Sequence, residues 1–125
     1  MDTSMLSKDL PPMETELSLE VTGILTKTVY RGTFRYRIPN ISRNSQIAIM
    51  ESRLNSGVEL DPTTKLLHYM LAYLRYTIDE QEASKWWISS NFGADLYDVN
   101  VVTELYQKCF NFEREWNTKV HGEQA

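Results

Sequence analysis

The chain is poor in the side chains that most chemistry depends on: it has one cysteine, Cys109, and two histidines, His68 and His121. A single thiol excludes an intramolecular disulfide. A metal site needs several donors that can converge, and neither histidine has a second His or Cys three or four residues away. A lone histidine on a helix is ordinarily a packed or surface residue. The five glycines are scattered, so no Gly-rich loop can cradle a phosphate, and serine-hydrolase spacing is missing too. No apolar run approaches the ~20 residues needed to cross a bilayer. The sequence opens on polar Met1-Asp2-Thr3-Ser4 and not on a signal peptide. The expectation is a chain in a reducing cytoplasm with no cofactor, no metal and no membrane partner.

Positive charge is also in short supply. Thirteen Lys and Arg stand against seventeen Asp and Glu, a net charge of −4. Such a surface repels a phosphate backbone unless basic residues cluster. The best cluster is Arg31, Arg35 and Arg37, with Arg43 nearby; arginines alternating along a strand read as a solvated face. No nucleic-acid partner is expected. Carboxylates are plentiful but have plain readings: Asp98 as a helix cap, and Asp79, Glu80 and Glu82 in a solvated connector. Cys109 falls on the apolar stripe of a helix, where burial raises the thiol pKa and removes the nucleophile. The chain is expected not to be an enzyme.

What the sequence does contain is material for one core. Its 125 residues are 42% hydrophobic and 24% charged, which suits a single domain. Residues 1–14 lack periodicity and hold Pro11-Pro12, so they read as a flexible tail; 15–120 form the domain and 121–125 a frayed end. Leu17, Leu19 and Val21 alternate with polar residues, as do Phe34, Tyr36 and Ile38, which predicts two strands joined by a turn at Arg31-Gly32 and ended by Pro39. The remainder reads as helix. Ser42 is the expected cap of a helix reaching Asn55, with Gly57 as its stop. Asp61-Pro62 opens a second helix with an apolar stripe of Leu67, Met70, Leu71 and Leu74. Ser84 caps a short helix, and Asp98 caps a last one carrying Val102, Leu105, Cys109, Phe112 and Trp116. The fold class is mainly α: about four helices packed with a small N-terminal β-hairpin.

Aromatic side chains stand out against this background. Trp86 and Trp87 are adjacent, so at 100° per residue one ring points at the core while the other leans to the rim. The pair serves either as a binding hot spot or as a core plug under the loop that follows. Tyr69, Tyr73 and Tyr76 form a stripe with the same two readings. The expected contact surface is Trp86, Trp87, Tyr69, Tyr73 and Phe92. A Trp87→Ala change would then weaken partner binding and leave the helical signal intact.

Several pieces, in order, resemble the tail assembly chaperones of long-tailed bacteriophages. They are Phe34-Arg35-Tyr36-Arg37-Ile38-Pro39, then Gln46-Ile47-Ala48-Ile49-Met50-Glu51-Ser52, then Leu66-Leu67-His68-Tyr69-Met70-Leu71-Ala72-Tyr73-Leu74. Trp86-Trp87 follows, then Phe92-Gly93-Ala94-Asp95-Leu96-Tyr97-Asp98 and a helix ending Phe112-Glu113-Arg114-Glu115-Trp116. The resemblance spans about Val29 to Trp116; it departs from the family where a proline often precedes the tryptophans and this chain has Ser84-Lys85. It implies a protein that binds the tape-measure protein, keeps it soluble until tube protein polymerises around it, and is absent from the finished virion. The tail tube protein is a second implied partner, self-association is expected, and the host cytoplasm is the implied location. The alternative is a structural virion component, a head–tail joining or tail-terminator protein whose hairpin edges pair across subunits into a ring.

Overall fold

The computed structural model describes residues 10–122. Strands β1 (Glu14–Thr22) and β2 (Val29–Arg37) are followed by α1 (Ile41–Asn55) and α2 (Pro62–Thr77). A 3-10 turn over Glu80–Glu82, a short α3 (Lys85–Ser89) and a long α4 (Val99–His121) complete the order. The chain is mainly α, with the hairpin keeping it from being purely so.

The period-two pattern sets the hairpin register. The strands run antiparallel from Glu14 opposite Arg37 to Thr22 opposite Val29. One face turns Leu19, Phe34 and Tyr36 into the core, with Leu17, Val21 and Tyr30 packed at its margin. The other face alternates charge: Glu20 pairs with Arg31 at 3.3 Å, and Glu14 with Arg35 at 3.2 Å and Arg37 at 3.4 Å. The strand arginines are therefore matched by glutamates on a solvated face, where each exposed pair contributes only about 0–1 kcal/mol.

The turn lies elsewhere than Arg31-Gly32. It spans Gly23 to Thr28, closed by the Gly23 amide on the Thr28 carbonyl at 2.8 Å and the Lys27 amide on the Gly23 carbonyl at 3.0 Å. Lys27 takes the left-handed φ of 64° that the turn demands. Gly32 sits inside β2 opposite Leu19 because another element needs the space: a Cβ there would overlap the Ser84 side chain. The boundary of the expected tail also shifts. Its residues 1–9 lie outside the described residues, but Pro11 and Met13 are tied down. The Pro11 carbonyl accepts Trp116 Nε1 at 3.0 Å, and the Met13 carbonyl accepts the Ile38 amide at 2.9 Å. At the other end His121 is still helical and Gly122 caps α4; residues 123–125 of the expected frayed end lie outside the described residues.

Caps follow local chemistry with one substitution. Asn40 caps α1, its side chain accepting the Arg43 amide at 2.9 Å; Ser42, expected in that role, is already inside the helix. Asn40 is the residue still extended after Pro39, which is the geometry an N-cap requires. Ser56 rather than Gly57 takes the first left-handed position at the end of α1. Asp61 caps α2 with Pro62 in the first turn, as read from the sequence. The Thr64 hydroxyl at 2.7 Å and amide at 3.1 Å hold the Asp61 carboxyl below the usual carboxylate range. Helix α2 supplies Met70, Ala72, Tyr73 and Leu74 to the core, α4 supplies Val101, Val102, Leu105 and Cys109, and α1 supplies only Ile47.

Candidate partner-binding surface

The aromatic residues expected to meet a partner mostly meet each other. Trp87 is 0% exposed, its ring edge-on to Phe34 at 6.0 Å and to Trp86 at 6.1 Å. The loop after α3 closes over it, and a Cβ on Gly93 (φ 88°) would stand 2.5 Å from the indole. Trp87 is the core plug of the two readings, so its place on the expected surface is corrected. Trp86 leans to the rim as the 100° offset requires. It is half-buried over β2, 4.9 Å from Tyr30, and its Nε1 donates to the Arg31 carbonyl at 2.8 Å. Tyr73 is 5% exposed and is likewise corrected to core. Its hydroxyl shares a 2.5 Å hydrogen bond with that of Tyr36 and lies 3.5 Å from Glu113 Oε2. Tyr69 is half-buried between Tyr73 at 5.9 Å and Tyr106 at 6.2 Å. Phe92 is half-buried under the Arg75 guanidinium, 3.8 Å from the ring centre. These five residues do not form one exposed surface.

The tyrosine cluster has a consequence in alkali. Burial raises the pKa of Tyr36, Tyr73 and Tyr69, and pushes Tyr106 up to about 12. Burial pushes the Cys109 thiol up as well, which disfavours its thiolate. A tyrosine is neutral when protonated. Its stabilising share is complete below about pH 10 and is lost as pH rises above that, by up to about 1.4 kcal/mol per pH unit for each buried tyrosine. In a spectrophotometric titration, part of the phenolate signal from the seven tyrosines should appear only with the loss of the helical circular dichroism. Smooth titration of all seven near pH 10 on an intact helical signal would contradict the buried cluster.

Part of the exposed apolar material lies at the hairpin turn, where a buried charge holds it; Ile41, Ile49, Val58 and Leu66, on or between α1 and α2, are exposed as well. Asp98 occupies the N-cap position of α4 but makes no capping bond with its side chain. The carboxylate is 1% exposed and reaches back to the turn. It accepts the Leu25 amide at 2.7 Å, the Thr26 amide at 2.9 Å and the Thr26 hydroxyl. Gly23 packs so closely on this carboxylate that a Cβ would overlap it. The Thr26 hydroxyl foremost, then the two turn amides, holds the Asp98 carboxyl below the usual carboxylate range, so it stays charged. Asn100 adds a second clasp, accepting the Ile24 amide and donating to the Thr22 carbonyl, both at 3.0 Å.

The backbone so pinned presents Ile24 at 71% and Leu25 at 70% exposure, beside Tyr97 at 77%. Val29, which opens β2, and Val99, which opens α4, are about half exposed. Contiguous exposed apolar side chains on a monomer often mark a functional surface. A turn usually carries polar side chains, and charged hydrogen bonds to its backbone are strong. A turn fixed in this way with its apolar side chains in water is preorganised for contact. The available signal was the pair Ile24-Leu25 directly after Gly23, which breaks the strand alternation.

A cleft of about 430 Å³ gathers Arg35, Arg37, Arg43 and Arg75 against Glu14 and Asp79. Two of those arginines already pair with Glu14 and a third lies on Phe92, so its charge is largely spent within the domain. Among the described residues no group of three or more His, Cys, Asp or Glu is placed to hold a metal, and no helix is long and apolar enough to cross a membrane. No family model matches this chain, and no curated protein or solved structure shows a match to it.

Proposed function

We propose that this domain is a stoichiometric protein-binding module that acts as a tail assembly chaperone of a long-tailed bacteriophage, holding the tape-measure protein soluble until the tube forms around it. The observation that carries the reading is the pinned apolar tip of Ile24, Leu25, Tyr97 and Val99. A tape-measure protein is a long, partly apolar helical chain. Coating it requires apolar contacts that are individually weak, reversible and repeated along the client. A handful of exposed apolar side chains on a fixed backbone suits that task. The resemblance carried by the sequence pieces from Phe34 to Trp116 supports the same assignment and implies the client.

Co-expression with the tape-measure protein of the same genome is the test. That protein should move from the pellet to the soluble fraction and copurify with this chain, and purified virions should lack the chain. A client that stays insoluble, or a chain retained in purified virions, would overturn the assignment.

A further inference from the structure

The two edges of the hairpin are treated differently. On β2, the backbone groups that face away from β1 belong to Arg31, Thr33 and Arg35, and each residue is engaged. The Arg31 carbonyl accepts Trp86 Nε1 at 2.8 Å. The Thr33 amide donates to Ser84 Oγ at 3.0 Å, and the Ser84 hydroxyl donates back to the Thr33 carbonyl at 3.3 Å. The Arg35 carbonyl accepts the Asp79 amide at 2.9 Å, next to an isolated bridge between Tyr36 and Ile78. Gly32 lets this cover approach. From Arg31 to Arg35 both carbonyls and both Thr33 groups are taken, so the β2 edge is largely covered, which disfavours a head-to-tail ring through sheet pairing.

The β1 edge is unpaired along its middle, with α4 anchored at either end of the strand through Asn100 and Trp116. The ladder bonds at Gly23–Thr28 and Met13–Ile38 fix the alternation, so odd-numbered residues of β1 bond β2 and even-numbered ones point outward. At the turn end the Thr22 carbonyl is taken by Asn100. From Glu16 to Glu20, among the described residues, the outward amides and carbonyls of Glu16, Ser18 and Glu20 have no partner beyond a 3.5 Å contact from the Thr15 hydroxyl to the Glu16 carbonyl. Beneath this stretch Leu19 is buried, and Leu17 and Val21 on either side of it are half-buried.

We propose that this edge docks an extended strand of another protein, one with Lys or Arg at alternate positions along its solvent face. The backbone groups dictate the shape of the occupant, because only an extended chain satisfies a row of outward amides and carbonyls at strand spacing. The side chains favour a basic occupant. Glu16 and Glu20 stand on the solvent face of β1, where residues of an added strand are direct cross-strand neighbours, and Glu20 would be shared with Arg31 at 3.3 Å. Glu16 has no ion pair within the described residues. A second copy is the wrong occupant: the twofold pairing that uses this whole edge centres on Ser18 and sets Glu16 of each copy opposite Glu20 of the other. This site uses backbone pairing on β1 and is independent of the apolar tip and of any tape-measure client.

The test uses a short peptide alternating lysine and valine, with a glutamate–valine peptide as its counterpart. The lysine peptide should bind, slow amide exchange at Glu16, Ser18 and Glu20, and shift resonances along β1; the glutamate peptide should not. Ser18→Pro removes an outward N–H without removing a ladder bond to β2, and should weaken binding at least tenfold. Glu16→Lys with Glu20→Lys leaves every backbone group in place and should exchange the preference to the glutamate peptide, so the idea remains testable if the proline variant fails to fold. Failure of the lysine peptide to protect these amides would overturn the proposal. So would an unchanged preference in the double-lysine variant, or protection of the same amides by concentration-dependent dimerisation of the free protein.

Discussion

Trp87→Ala should unfold much of the domain rather than spare it. Truncating a fully buried aromatic costs about 3–5 kcal/mol, set against a total of roughly 5–15 kcal/mol for a domain of ordinary stability. The loss falls on Phe34 in β2 and on the loop around Gly93, both of which pack on the indole. It also reaches α3, which has only five residues and cannot persist without the packing that Trp87 supplies. Ser84 and Trp86 ride on that element and cover the β2 edge, so the hairpin should loosen with it. Urea unfolding followed by circular dichroism reads the change. Trp86→Ala, at a half-buried site with one hydrogen bond, should cost clearly less. A Trp87→Ala protein with wild-type stability would contradict the core assignment.

Leu25→Ser combined with Tyr97→Ser should do the reverse: client binding should fall by about 10- to 100-fold while the unfolding midpoint holds. Interface anchors commonly contribute about 1–2 kcal/mol or more each when they are well packed in a complex. Both side chains stand in water in the free protein, and the bonds to Asp98 use the Leu25 backbone amide, so the pin survives the substitution. Serine is preferred to aspartate here because a new carboxylate beside Asp98 would weaken the pin by repulsion. A pull-down of a tape-measure segment measures the loss. Full binding by this double variant would remove the tip from the interface.

Legibility followed the range of the interactions. Features decided within a turn or two of chain were readable: the Asp61-Pro62 start of α2, the apolar stripes of α2 and α4, the alternation of both strands, and the solvated arginine row. Features decided across the chain were not. Gly32 looked like a turn because glycine in a polar stretch usually marks one, whereas here it makes room for Ser84, more than fifty residues away. Ser84 and Asp98 were placed correctly at helix starts, yet their side chains leave their own helices and bind the hairpin. The division of labour between Trp86 and Trp87 was set by Phe34 and Gly93, which lie on other segments. The tip went unread for the same reason. Ile24 and Leu25 resemble strand residues until the turn is moved to Gly23–Thr28, and Tyr97 and Val99 gain meaning only when Asp98 draws the turn onto them.

The most direct measurement of binding through the tip is a methyl NMR spectrum of the protein with and without a soluble helical segment of the tape-measure protein. The methyl signals of Ile24, Leu25, Val29 and Val99 should shift or broaden on addition of the segment, and those of Ile47 and Leu74 in the core should stay in place. Binding that leaves the tip methyls unmoved while signals elsewhere shift would contradict the tip as the partner-binding surface.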